Sequence, residues 1–333
     1  MYVRREISLG IIWHFAWKSI IFFTALSCVA VFAYTKFNIH LLSIPFLPVA
    51  TVGTAVAFYA GFKNNASYER LWEGRKIWAE VEHLCRYSAM IVLKSTKPGV
   101  AVSSSKKQFV YGLIAWANVL RGHLRRIPTF FNDDSGERDQ AQLLKNHEGI
   151  LSFEEDMLQS LSPIFSESES RELLGKTNLP AAVLFKQMVV LDSLKDDDGL
   201  SESDYIKLLD LMGACSQQAS AAERLTTFPF PRQYAHFSAL FVKIFVVLLP
   251  FALLTELKTS GVNLWLTVPF SVLVSWVFFT MERVGDTSEN PFENALNDVP
   301  LSTICRDIEI DLKSMLGENE LPSPLLPQQY VML

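Results

Sequence analysis

Lys18 and Lys243 are the only formal charges inside four long apolar runs of this 333-residue sequence, so their placement calls for a reason. Each lies six or seven residues from one end of its run. A cation at that depth can face an anion pathway. Alternatively, its stem can snorkel the ammonium to a lipid interface about 10 Å away, which is the simpler reading. Other footholds for reaction chemistry are missing: there is no GxxxxGK[ST] phosphate loop, GxGxxG, GxSxG, HExxH or CxxC. The six histidines are scattered. Glu82, His83 and Cys85 are near neighbours in sequence, but successive helical positions point about 100° apart and converge poorly on one ion. No catalytic residues, and hence no enzyme, are expected.

The elements that carry those lysines dominate the composition. The chain is 50% hydrophobic and 20% charged with net charge −5, which excludes a disordered chain and a nucleic-acid-binding tail. The apolar excess sits in Ile11–Tyr34, Leu41–Phe62, Phe237–Thr255 and Val262–Met281. Each run is long enough for an α-helix to cross about 30 Å of hydrocarbon. The first is too long for a cleaved signal peptide and lacks a small-residue cleavage site. Four transmembrane helices at about 11–34, 41–62, 237–255 and 262–281 are therefore expected.

Residues 63–236 read as a polar, helical cytoplasmic region, and 282–333 as a C-terminal strap and tail. Asp133 to Asp198 holds 15 acidic and six basic residues, a net −9 that leaves +4 for the rest. Basic residues flank the membrane at Arg4 and Arg5, and again at Lys63, Arg70, Arg75 and Lys76. The positive-inside rule then places both termini and the middle region in the cytoplasm, where Cys85, Cys215 and Cys305 stay reduced. Helical spacing runs through Leu71, Trp72, Ile77, Val81 and Leu84 with no break after the second run, so that helix extends well past the membrane. Similar spacing predicts helices over Lys107–Arg126, Ala181–Leu194 and Ser201–Thr227. Turns are expected at Pro98-Gly99 and Asp133–Gly136. The fold class is an all-α integral membrane protein.

The second run has the most specific pattern. Ala50, Gly53, Ala57 and Gly61 form a small-residue stripe along which another backbone can approach closely. On an adjacent face, Thr54, Phe58 and Phe62 recur every fourth residue. In a symmetric ring the small stripe would pack on the next subunit, and the phenyl rings would form a hydrophobic constriction that gates by dewetting. In a lone bundle the same rings would be core. Spacing leaves both readings open.

Gly61-Phe62-Lys63-Asn64-Asn65-Ala66-Ser67-Tyr68-Glu69-Arg70, with Trp72, Glu73, Arg75, Lys76 and Trp78, resembles the bacterial bestrophin-like family. Thr227-Phe228-Pro229-Phe230-Pro231, Glu289-Asn290-Pro291-Phe292, Asn297-Asp298-Val299-Pro300-Leu301, Cys305 and Ile308–Leu312 agree in order. The resemblance covers nearly the whole chain and implies one bestrophin-like domain over 1–333. It also implies a homopentameric ion channel in a bacterial inner membrane, with a narrow neck at Thr54, Phe58 and Phe62 and a second, cytoplasmic constriction at Leu184. The partners would be other copies of the chain, the lipid bilayer and permeating monovalent ions, with no nucleic acid. Animal members carry an acidic Ca²⁺-binding run after Asn-Pro-Phe. Here only Glu293 and Asp298 are acidic, too few for a tight Ca²⁺ site, and no cofactor is expected. Chloride conduction follows from the animal members, while bacterial ones can prefer cations. The alternative to a channel is a membrane-anchored scaffold or sensor with a non-conducting pore.

Overall fold

The computed structural model describes residues 2–3, 6, 9–37, 44–94, 102–126, 153–197, 200–228, 230–295, 297–327 and 330–332. Among them are ten α-helices, which bear out the all-α class: α1 (Leu9–Phe37), α2 (Phe46–Leu93), α3 (Ser104–Arg126), α4 (Phe153–Leu161), α5 (Glu167–Leu174), α6 (Leu179–Asp197), α7 (Glu202–Thr227), α8 (Arg232–Thr259), α9 (Thr267–Thr287) and α10 (Leu301–Met315). The described residues add one isolated antiparallel bridge, between Tyr2 and Val331. The turns expected at Pro98-Gly99 and Asp133–Gly136 lie outside the described residues, as do Arg4 and Arg5.

Four helical stretches are long and apolar enough to cross a membrane: Gly10–Phe37, Phe46–Leu93, Arg232–Thr259 and Leu264–Thr287. Their starts differ from those of the apolar runs, and the third begins at Arg232, five residues before Phe237. The second helix begins at Phe46 rather than at residue 41, with Ile44 and Pro45 non-helical. The fourth begins after Val262, where Asn263 accepts the Trp265 N–H (3.0 Å) and caps a single 3₁₀ turn. Helix α2 is unbroken over 48 residues, as its spacing predicts.

The chain divides into two compact units, each drawn from separate stretches of sequence. One comprises residues 4–69 and 230–289 and contains α1, the first half of α2, α8 and α9. In it α1, α8 and α9 pack on one another. Their contacts are aromatic and small: Phe245 and Phe278 lie 4.5 Å apart by ring centroid. Ser27 and Ser271 share a 2.6 Å hydrogen bond inside the bundle. A paired hydroxyl is the form in which a polar group is tolerated in an apolar interior.

The other unit comprises residues 1–3, 70–229 and 290–333. Helix α3 is its axis, packing on α4, α6 and α10. Phe109, Leu113, Trp116 and Leu120 are all fully buried along one face, at the spacing the sequence predicts. From α2 come Ile77, Trp78, Val81, Leu84 and Cys85, all buried, whereas Trp72 is exposed. Burial pushes the Cys85 thiol well up, Cys215 to about 12 and Cys305 to about 11. The three are inert apolar filling at neutral pH. Helix α6 starts where expected, with the Asn178 side chain accepting the Ala181 N–H (3.0 Å).

Candidate functional site

Helix α2 turns Thr54, Phe58 and Phe62 away from its own unit: Phe58 is 67% and Phe62 73% exposed, and Thr54 is exposed beside them. The opposite face carries Val49, Gly53, Val56, Ala60 and Lys63, all buried. The spacing of 100° per residue explains the split, since Lys63 lies about 140° around the helix from the middle of the Thr54–Phe62 stripe. The bundle-core reading of the phenyl rings is thereby removed: the unit's own core is complete without them. The Thr54 hydroxyl donates to the Ala50 carbonyl (3.1 Å), back into its own helix.

The small-residue stripe does not act as one surface. A Cβ on Gly53 would come within 2.6 Å of the Phe245 ring, so this glycine admits α8 of the same chain. Gly61 has nothing within 4 Å, and Ala50 and Ala57 are half-buried. These positions border an open groove of about 870 Å³ whose walls include Thr54, Phe58, Phe62, Phe245, Leu249 and Phe278. The expectation that the whole stripe packs on a neighbour is thus corrected: Gly53 serves packing within the subunit.

Leu184 is also corrected. It is 3% exposed, packed in the α3-centred core, and presents nothing to solvent. The apolar side chains that α6 leaves in the open are Phe185, at 66%, and Val189. A one-residue step along a helix moves a side chain about 100° around the axis, which is the whole difference between core and surface here.

Lys18 and Lys243 are both exposed, and the Lys18 ammonium stands 5.7 Å from the Trp17 ring centroid. Neither is drawn into the core of its unit. Lys63, counted above among the flanking cations, is buried instead: its ammonium donates to Glu282 (2.5 Å) and to Asp286. The Ser238 hydroxyl donates to the other oxygen of Glu282.

The acidic groups of the loop after α9 are engaged by neighbouring groups of the chain. Glu293 accepts from the Asn290 amide, and Asp298 is buried with its carboxylate turned onto the Ala295 N–H (2.9 Å). The Asn294 side-chain oxygen accepts from Arg125 (2.7 Å), so a guanidinium holds the loop. Among the described residues no three His, Cys, Asp or Glu groups gather as a metal site, which also covers Glu82, His83 and Cys85. Burial raises the Asp298 carboxyl to about 6, and burial beside Arg121 lowers Arg125 to about 10. Gly74 belongs to the same arrangement, since a Cβ there would lie 3.0 Å from Pro291 and 3.1 Å from the Phe292 ring.

The buried lysine and its carboxylates form a polar cluster that sequence reasoning missed. The signal was present as a lysine directly after a run of uncharged residues, facing Glu282 and Asp286 at a four-residue interval.

Comparison with known proteins gives a consistent result. The family model described as Bacterial/Fungal Bestrophin protein matches residues 6–314. The voltage-dependent anion channel-forming protein YneE of Escherichia coli K12 is 30% identical over 301 residues, 90% of this chain and 85% of that one. A voltage-dependent anion channel-forming protein of Ralstonia nicotianae is 26% identical over 285 residues, 86% of this chain and 82% of its own. A crystal structure of a bacterial bestrophin homologue from Klebsiella pneumoniae superposes with a TM-score of 0.73 at 23% identity, covering 90% of this chain and 98% of that one.

Proposed function

Since this chain belongs to the bacterial and fungal bestrophin family, we propose that it is an anion channel whose pore is lined at its neck by Thr54, Phe58 and Phe62. The observation that carries the proposal is the bare phenyl stripe of α2, Phe58 and Phe62, on the side of the helix away from its buried face. In a ring of five subunits the groove beside it receives the neighbouring copy, and the rings from all copies meet around one axis. A narrow apolar neck excludes water until it widens, and so holds back ions without a charged gate. Phe185 takes the place first assigned to Leu184, as the exposed apolar group of α6 suited to a second constriction.

Small monovalent anions, chloride among them, are the proposed cargo, in keeping with the named activity of the relatives. The four spans sit in a bacterial inner membrane with both termini cytoplasmic, supported by the basic residues Arg75 and Lys76 beyond the second span. The exposed Lys18 and Lys243 snorkel toward that cytoplasmic interface.

The test uses purified full-length protein in liposomes under a KCl gradient. A reversal potential of the sign set by chloride is expected. Phe58→Ala and Phe62→Ala should each raise the conductance, and an unchanged conductance in both would remove the neck role. Correctly assembled protein that passes no ion would instead favour a membrane-anchored scaffold.

A further inference from the structure

Lys63 follows Phe62 directly in α2, yet the two side chains have opposite fates. Phe62 is among the most exposed large apolar side chains of the described residues, while the Lys63 side chain is fully buried. The ammonium meets Glu282 and Asp286, four residues apart on one face of α9, and Glu282 is held in turn by Ser238 of α8. Three helices therefore meet in one hydrogen-bonded cluster built around the lysine. The approach is close: Gly285 lies between the two carboxylates, and a Cβ there would stand 2.3 Å from Asn64 Oδ1 and 3.5 Å from Lys63 Cε. A side chain at 285 would force the Asn64 amide to move and crowd the Lys63 stem.

Such a cluster is costly unless every member is matched. A buried ammonium without its carboxylates, or the reverse, is strongly disfavoured. Turning α2 about its axis would draw Lys63 off both acids at once, a loss added to that of the apolar contacts of Val56 and Ala60 on the same face. The ion pairs thus add a polar, geometry-dependent constraint to the apolar packing of α2.

We propose that Lys63, with Glu282, Asp286 and Ser238, is a positioning cluster that fixes the rotation of α2 and so holds Phe58 and Phe62 toward the pore axis. This rests on the neck reading given above. The two can fail separately.

The test is a double-mutant comparison by chloride flux from liposomes holding assembled full-length protein. Phe62→Ala is measured in the native background and in Lys63→Met. With the cluster intact, Phe62→Ala should raise flux about tenfold; with Lys63 removed, the ring no longer sits in the pathway and the same change should give about twofold or less. Lys63→Arg, which keeps the charge, should retain the native response. Equal fold increases in the native and Lys63→Met backgrounds overturn the positioning role while leaving the neck intact. No increase in the native background overturns the neck, and this inference with it. Should Lys63→Met fail to assemble, the double variant Glu282→Gln with Asp286→Asn, which removes both carboxylates from the lysine, serves as the second background under the same criterion.

Discussion

The two ends of α2 use the same kind of residue for opposite purposes. Near its start, Phe58 and Phe62 stand bare while the small side chains behind them are buried. Towards its end, Trp78, Val81, Cys85, Ala89 and Val92 are sunk completely in the α3-centred core. An aromatic side chain left facing water forgoes about 2 kcal/mol or more of burial. A fold that can bury Trp78 entirely does not expose two phenylalanines for want of room. The contrast separates apolar residues that hold the subunit together from those that await something outside it.

That separation can be broken most sharply at the buried end. Trp78→Ala should destabilise its unit by about 3–5 kcal/mol, read as a loss of folded protein in thermal or denaturant unfolding. Phe62→Ala, in contrast, should leave subunit stability within about 0.5 kcal/mol and act on conductance alone. A stability loss comparable to that of Trp78→Ala would return Phe62 to the core.

The next largest contrast lies within α6. Leu184→Ala should cost about 2–4 kcal/mol, while Phe185→Ala should be nearly neutral in stability and change conductance. The glycines of α2 sharpen the comparison further. Gly53→Ala meets the Phe245 ring and should cost about 1–3 kcal/mol, whereas Gly61→Ala meets nothing in its own chain and should show only in the strength of subunit assembly.

The smallest effect concerns pH. The folded Asp298 carboxyl is raised to about 6, above its unfolded value, so folding takes up a proton at this site. Its contribution is fully present below about pH 4 and is lost as pH rises through 6. Wild type should therefore gain about 1–2 kcal/mol relative to Asp298→Asn between pH 7 and pH 5, measured as the difference between their unfolding free energies.

The spans, the unbroken α2 and the Phe58–Phe62 stripe were legible because each is written as a strong periodic pattern. Helix α10 was not read as a helix. Ile308-Glu309-Ile310-Asp311-Leu312 alternates locally, and the helical stripe Leu301, Cys305, Ile308 and Leu312 emerges only over the full length. Helices α4 and α5 are too short for apolar spacing to stand out, although the Ser166–Glu169 capping box marks the start of α5. Leu184 was misplaced because the resemblance fixes a neighbourhood, while its facing depends on a single residue step. Lys63 was misread because a charge beside an apolar run looks like a membrane flank until partners 219 and 223 residues away are seen.

The back-bonded hydroxyl of Thr54 bears on what the proposed neck would present to an ion. Its hydrogen points to the Ala50 carbonyl, so what it turns outward is lone-pair density. Repeated around a ring, that is a belt of acceptors, which greets a cation. Swung off the carbonyl, the same hydroxyls become a belt of donors, which greets an anion. At the level of the proposed neck, this hydroxyl can therefore present either an acceptor or a donor, according to the direction of its one hydrogen.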